Sequence, residues 1–340
     1  MRKLITPWRL IGAGLLLLAF VAGVLLLLPT GSTYIFLPDR ARLVAPLVDV
    51  EGGKPTRDGG GIYFVDVLVR RATWLERLFP SIREGGSLVP ADALNPSGVS
   101  DQVRRTTSLR AMTRSQSIAA AVALRELGYE VTARPAGALI SAISPDTPAA
   151  AKLRPGDVVV AADGSPVRTP ADLRRIVRRG SPGATVTVNV RRGSELEQID
   201  VKTVPDPANR RRPLLGVLVE QEATIKLPIS VEIDAGNVGG PSAGLAFALD
   251  VLEELGRDVD QGYKVAVTGE IELDGEVGSV GGLRQKTIGA KRADVDIFIV
   301  PAGDNADEAR RYSGGLRVIP VRNFQQALRA LTTLPEKPPS

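Results

Sequence analysis

The chain of 340 residues has room for about two folded domains, and 44% hydrophobic with 24% charged residues is a globular composition. It contains no cysteine and no histidine, which excludes a disulfide framework, thiolate metal centres and any nucleophile activated by an imidazole. The net charge of +5 is mild and the aromatics, at 4%, do not interleave with a basic patch, so no nucleic-acid partner is expected.

Arg2, Lys3 and Arg9 flank "LIGAGLLLLAFVAGVLLLLP", residues 10–29, an uncharged run. Its length is close to the ~20 residues that a helix needs to cross a bilayer. Residues 1–9 are therefore expected as a cytoplasmic basic tail and 10–29 as a retained single-pass transmembrane helix, with the cytoplasmic membrane as a partner and the rest of the chain outside it. A cleaved signal peptide is the rival. Its apolar core would be shorter, ~7–15 residues, and end at a small-residue site that "LLLLPTGSTY" lacks.

Residues 41–135 open with the strand-like runs "ARLVAPLVDV" and "GIYFVDVLVRR", split by the turn-rich "EGGKPTRDGGG". "SQSIAAAVALRELGYEV" then spaces Ile118, Val122 and Leu124–Leu127 as a helix, with Ser115 or Ser117 as its cap and Gly128 as its stop. No chemical motif is legible in this stretch, which reads as an N-terminal α/β subdomain of unknown role.

Residues 136–204 run strand, short helix, strand, hairpin turn, helix, strand, strand. "SPDTPAAAKLRPGDVVVAADGSPV" joins a turn at Pro155-Gly156-Asp157 to a buried strand and a tight turn at Asp163-Gly164. The segment resembles a PDZ domain of the bacterial, protease-attached kind. That resemblance implies binding of an extended peptide as an added strand, its terminal carboxylate held at the loop leading into Gly137, Ala138, Leu139 and Ile140. A packing or gating module is the alternative. A linker, "PDPANRRRP" at 205–213, reads as a solvated and stiff boundary.

From Leu214 to Leu334 strands alternate with helices at about 242–256, 283–293, 304–313 and 323–331, a mixed α/β domain. The turn "GNVGGPSAGLAFALDVLEEL" at 236–255 places Ser242 where a helix begins. Three readings stay open. Pro241 and Ser242 are good helix-opening residues. A glycine-rich loop before a helix also binds phosphate, although no Walker loop occurs anywhere and ATP is not an expected cofactor. Third, a serine at a helix N-terminus is placed for nucleophilic attack, because free amides there stabilise an oxyanion. Without histidine its base must be lysine or a carboxylate, and a lysine base must be buried enough to lose its proton. Lys286, in "VGGLRQKTIGAKRA", shares its helix face with Gly289, Ala290 and Ala293, all small and uncharged.

"GGPSAGLAFAL", "VAVTGEIELDGEVGSVGGLRQKTIGAKRA" and "DIFIVP", in this order, resemble the proteolytic domain of Lon proteases. The resemblance implies Ser242 as nucleophile, Lys286 as general base, Thr268 beside the dyad, and an oxyanion site in the backbone around Gly240, Pro241 and Ser242. The family's ATPase module is missing, and "NVGG" stands where many Lon enzymes carry an acidic residue. The order anchor, PDZ, Lon-type domain looks like the membrane-anchored PDZ-containing Lon-like serine peptidases. What is expected is therefore an α/β (α+β) multidomain chain: an ATP-independent serine endopeptidase acting on exposed or unfolded protein segments, with no cofactor and no metal. Rings in Lon-like families leave room for a homo-oligomer. The alternative is a catalytically silent PDZ adaptor.

Overall fold

The computed structural model describes residues 7–55, 59–94, 101–335 and 337. Chain order gives α1 (Pro7–Leu27), β1 (Pro29–Pro38), β2 (Arg42–Leu43), β3 (Val48–Val50), β4 (Gly61–Phe64), β5 (Val67–Thr73), α2 (Trp74–Leu78), β6 (Ser87–Pro90), α3 (Ala91–Leu94) and α4 (Asp101–Glu126). The expected transmembrane anchor over 10–29 is corrected here. Among the described residues no helix is long and apolar enough to cross a membrane. α1 ends at Leu27, two residues short of the expected span. Pro29 already belongs to β1, and Arg2 and Lys3 of the expected tail lie outside the described residues.

The next stretch contains β7 (Thr132–Ile143), β8 (Val158–Ala162), β9 (Ser165–Pro166), α5 (Pro170–Arg179), β10 (Thr185–Arg192), β11 (Glu195–Lys202), β12 (Val204–Pro205) and β13 (Pro213–Leu214). After it come β14 (Val217–Lys226), β15 (Val231–Ile233), α6 (Gly244–Glu254), β16 (Lys264–Val267), β17 (Glu270–Ile271), β18 (Val277–Gly278), α7 (Leu283–Arg292), β19 (Ile297–Pro301), α8 (Asp304–Ser313), β20 (Arg317–Val321) and α9 (Phe324–Thr332).

The central sheet has the order β2-β4-β16-β19-β20, with β4, β16, β19 and β20 parallel and β2 antiparallel to β4. Helices cover both of its faces, so its inner strands are apolar on both sides rather than alternating. Val265, Val267, Ile297 and Ile299 pack with α4, α6 and α9. Ala266, Phe298 and Val300 point the other way, onto Leu283 and Ala290 of α7 and Ala306 and Ala309 of α8.

Residues 41–135 are thus not a separate subdomain in space. They give β2 and β4 to the central sheet, β3 pairs with β15, and α4 packs along α6. The α4 helix also starts earlier than its apolar pattern suggested, so Ser115 and Ser117 lie mid-helix instead of capping it. Gly128 does end the helical run, at φ +84, its N–H donating to the Arg125 carbonyl. The linker 205–213 is folded as well: β12 and β13 pair across it, and Arg212 binds Asp206.

The expected peptide edge is changed most. The second sheet has the order β11-β10-β8-β7-β14, so β7 is paired on both sides. Ala138 and Leu139 face Val159 and Val158 of β8 on one side, and Gln221 and Glu220 of β14 on the other. Gly137 and Ile140 face Glu222 and Val219. A peptide added along Gly137–Ile140 has no free backbone groups to pair with while β14 is in place.

Candidate active site

Three elements meet at Ser242. The turn before α6 enters through Gly240 at φ +91, a conformation that suits only glycine, and a single turn of 3-10 helix over Pro241–Ala243 carries the serine into α6. α4 fixes this turn from outside: the Gly240 N–H donates to the Ser108 carbonyl at 2.8 Å, and Ser115 Oγ donates to the Pro241 carbonyl at 3.0 Å. From the sheet side, the Gly269 N–H and the Thr268 hydroxyl donate to the Ser242 carbonyl at 2.9 and 3.2 Å. Ser242 does not serve as a helix cap; α6 has no side-chain cap.

The third element is α7. It starts at Gly282, in the left-handed region at φ +72, and buries Leu283, Gln285, Lys286, Thr287, Gly289 and Ala290. Lys286 is 3% exposed, and its Nζ lies 2.7 Å from Ser242 Oγ and 2.9 Å from Thr268 Oγ1. Burial lowers the Lys286 pKa to about 7, against an opposing pull from the Asp66 carboxylate. One amine proton goes to Thr268, whose own hydroxyl is used on the Ser242 carbonyl, and Nζ stays within hydrogen-bond reach of Ser242 Oγ. A neutral amine so held can take the serine proton.

Ser242, Lys286 and Thr268 are therefore in mutual contact. Gly240 and Pro241 lie in the same turn, but the Gly240 N–H is engaged with Ser108 and proline has none. Within that stretch an oxyanion could draw only on the Ser242 N–H, next to the positive end of α6. Gly137, Ala138, Leu139 and Ile140 lie in β7, in the other sheet.

Both dyad residues open on a cleft of about 810 Å³. Its far wall is β5, and the Asn237–Gly239 turn forms the near one. Asp66, in the corner between β4 and β5, pairs with Arg42 at 2.6 Å, and its pKa is raised by burial. Sequence reasoning missed all of the wall contributed by residues 34–71, and it missed Ser108 and Ser115. The latter two are seven residues apart, on one face of a helix, which is the one signal that could have marked them. The sequence also showed no clustered carboxylates, whereas the fold brings ligand atoms of Glu253, Asp258 and Asp260 within 4.8 Å of one another. Each of the three accepts N–H groups of the 258–262 turn, which gives the group a structural role.

Residues 125–203 match the PDZ domain family, and residues 215–333 match the Lon protease (S16) C-terminal proteolytic domain. The chain is 34% identical over 116 residues to the Lon protease of Mesomycoplasma hyopneumoniae, covering 33% of this chain and 13% of that protein. It is 41% identical over 101 residues to the mitochondrial Lon protease homolog of Rattus norvegicus, covering 28% and 10%. Among solved structures, the PDZ domain of an SdrC-like protein from Listeria monocytogenes is 26% identical, covering 24% of this chain and 86% of that domain, with a TM-score of 0.23. The chain thus spans only about a tenth of the length of the curated relatives it matches. Residues 215–333 are a Lon-type serine-peptidase domain.

Proposed function

We propose that the chain is a serine endopeptidase that works through Ser242 and Lys286, without ATP, on protein segments that reach the cleft unaided. The observation that carries this reading is the 2.7 Å approach of a buried lysine amine to Ser242 Oγ at the head of an open cleft. Lys286 takes the serine proton as Oγ attacks the scissile carbonyl, and the oxyanion forms against the Ser242 N–H. The lysine then returns that proton to the leaving amine, and water, deprotonated in the same way, releases the acyl group. Independence from ATP is part of the proposal; these 340 residues contain no Walker loop.

In this reading the PDZ-like unit acts as a packing or gating element. The N-terminus of its helix α5 docks on the catalytic body: the Ala171 N–H and the Arg174 guanidinium both bind Glu272. The silent-adaptor reading needs an open edge along Gly137–Ile140, and β14 lies there.

The test is digestion of a disordered protein by the full chain without nucleotide, comparing wild type with Ser242→Ala and Lys286→Ala. Cleavage by wild type alone, not accelerated by added ATP, is the expected result. Equal cleavage by all three, or by none, removes the assignment.

A further inference from the structure

The cleft beside the dyad has an uneven charge distribution. Among the described residues, its lining contains Arg42, Arg70, Arg71 and Arg105 against two carboxylates, Asp39 and Asp66. Arg42 pairs with Asp66, Arg70 with Glu76 through a pair of bonds at 2.6 and 2.9 Å, and Arg71 donates to the Gly31 carbonyl at 3.5 Å. Arg71 and Arg105 are exposed. Arg71 lies over the Tyr34 ring, and Arg105 donates to Asn237 Oδ1 at 3.0 Å, on the turn that leads to Ser242. The two acids sit instead at the lysine end, where Asp39 and Asp66 interact with each other and the Asp39 backbone passes against Gly289 of α7.

The wall that carries Arg71 is also an edge. Among the described residues β5 is the outer strand of the order β5-β1-β6, paired on its β1 side. It begins at the dyad: a Cβ on Gly282, which opens the Lys286 helix, would lie 2.8 Å from Val67 Cγ2. From Val67 to Arg71 is ~13 Å of extended chain.

We infer that the open edge of β5 is the substrate-docking strand of this site, and that Arg71 and Arg105 select an extended segment bearing acidic side chains about four residues from the scissile bond. This rests on the peptidase reading for its role in turnover, but not for the binding itself. A segment laid on β5 gains ladder hydrogen bonds whatever its sequence, and its register puts alternate side chains on one face. The arginines then add the preference, through charge-assisted bonds to carboxylates.

The test uses two peptides that share one cleavable centre and differ only in flanking Glu or Gln residues. Competed against each other on the full chain, they give a ratio of kcat/KM that does not depend on how much of the enzyme is folded. At low salt the Glu peptide is expected to win by roughly fivefold to tenfold, falling towards parity as added salt shortens the screening length from about 10 to about 3 Å. In R71Q/R105Q the ratio is expected near one, and in R71K/R105K part of it returns. Binding of the same peptides to Ser242→Ala, followed by fluorescence anisotropy, reads the preference without turnover. A preference in binding with no cleavage by wild type would remove the peptidase reading and leave this one standing. Equal binding of the two peptides, or a ratio unchanged in R71Q/R105Q, overturns it.

Discussion

Lys286 Nζ donates to Thr268 Oγ1 at 2.9 Å, and the fully buried Thr268 donates its own hydroxyl hydrogen bond to the carbonyl of Ser242 at 3.2 Å. The threonine thus holds the amine within reach of Ser242 Oγ. Thr268→Val keeps the shape and removes both bonds, leaving the Ser242 carbonyl with the Gly269 N–H. We expect kcat to fall by roughly 10–100-fold with KM little changed, in the usual range for a lost positioning bond, and Thr268→Ser to recover most of it. Steady-state kinetics on one peptide decides this; a fall confined to KM would place Thr268 in substrate binding instead.

The lysine pKa of about 7 sets the pH response. The base works neutral, so kcat/KM should rise with pH through about 7 and level off above it, and Lys286→Arg, which stays charged, should be inactive. Stability moves in the same direction. In the unfolded chain the lysine holds its proton up to about 10.4, so between about 7 and 10.4 the unfolded state binds more protons and stability rises with pH. Lys286→Met removes that cost and is expected to be more stable than wild type at pH 6 by a few kcal/mol, with the gap closing towards pH 10. Urea melts at the two values check it, and a gap that widens with pH would contradict the burial argument.

Much of this site was legible because its chemistry sits in two short local patterns. A glycine turn opening an apolar helix, and a lysine on a face of small residues, state their geometry in sequence. What escaped was everything set by long-range pairing. β4 joins β16 from about 200 residues away, and nothing in "GIYF" names its neighbour. The same holds for "LLGVLVEQ", which reads equally well as the first strand of one unit or the last of another. It became the latter, and so closed the edge expected at Gly137–Ile140. The anchor expected over 10–29 is a separate case: an uncharged run of that length suggested a span, yet among the described residues no helix is long and apolar enough to cross a membrane.

Glu272 is the contact through which α5 reaches the catalytic strand. Its carboxylate is fully buried and bound by Arg174 and by the Ala171 N–H, at the end of β17, four residues after Thr268. Burial holds its pKa above the ordinary carboxylate value even with Arg174 present. Arg174→Ala leaves the charge without its cation, so the variant should lose on the order of 2–3 kcal/mol at pH 8 and less at pH 5, where protonation relieves it. Denaturant unfolding at the two pH values measures the difference. Equal losses would mean that Arg174 contributes packing alone.

Gly289 sets a contest between propensity and space. It lies three residues beyond Lys286 on the buried face of α7, where alanine would gain about 1 kcal/mol of helix propensity. A Cβ there, however, would lie 2.0 Å from the Asp39 carbonyl oxygen, a backbone atom with no rotamer to turn away. The helix or the 39–42 segment has to move, and such overpacking costs typically 1–3 kcal/mol, which exceeds the gain. Gly289→Ala is therefore expected to be destabilised. It should also lose activity beyond what its folded fraction explains, because the shift carries Lys286 away from Ser242 Oγ. Ala290→Gly makes the comparison: it costs a similar propensity one residue on, without steric push, and should keep its kcat. A Gly289→Ala variant as stable and as fast as wild type would show that the close approach of Asp39 to α7 is not what holds the lysine in place.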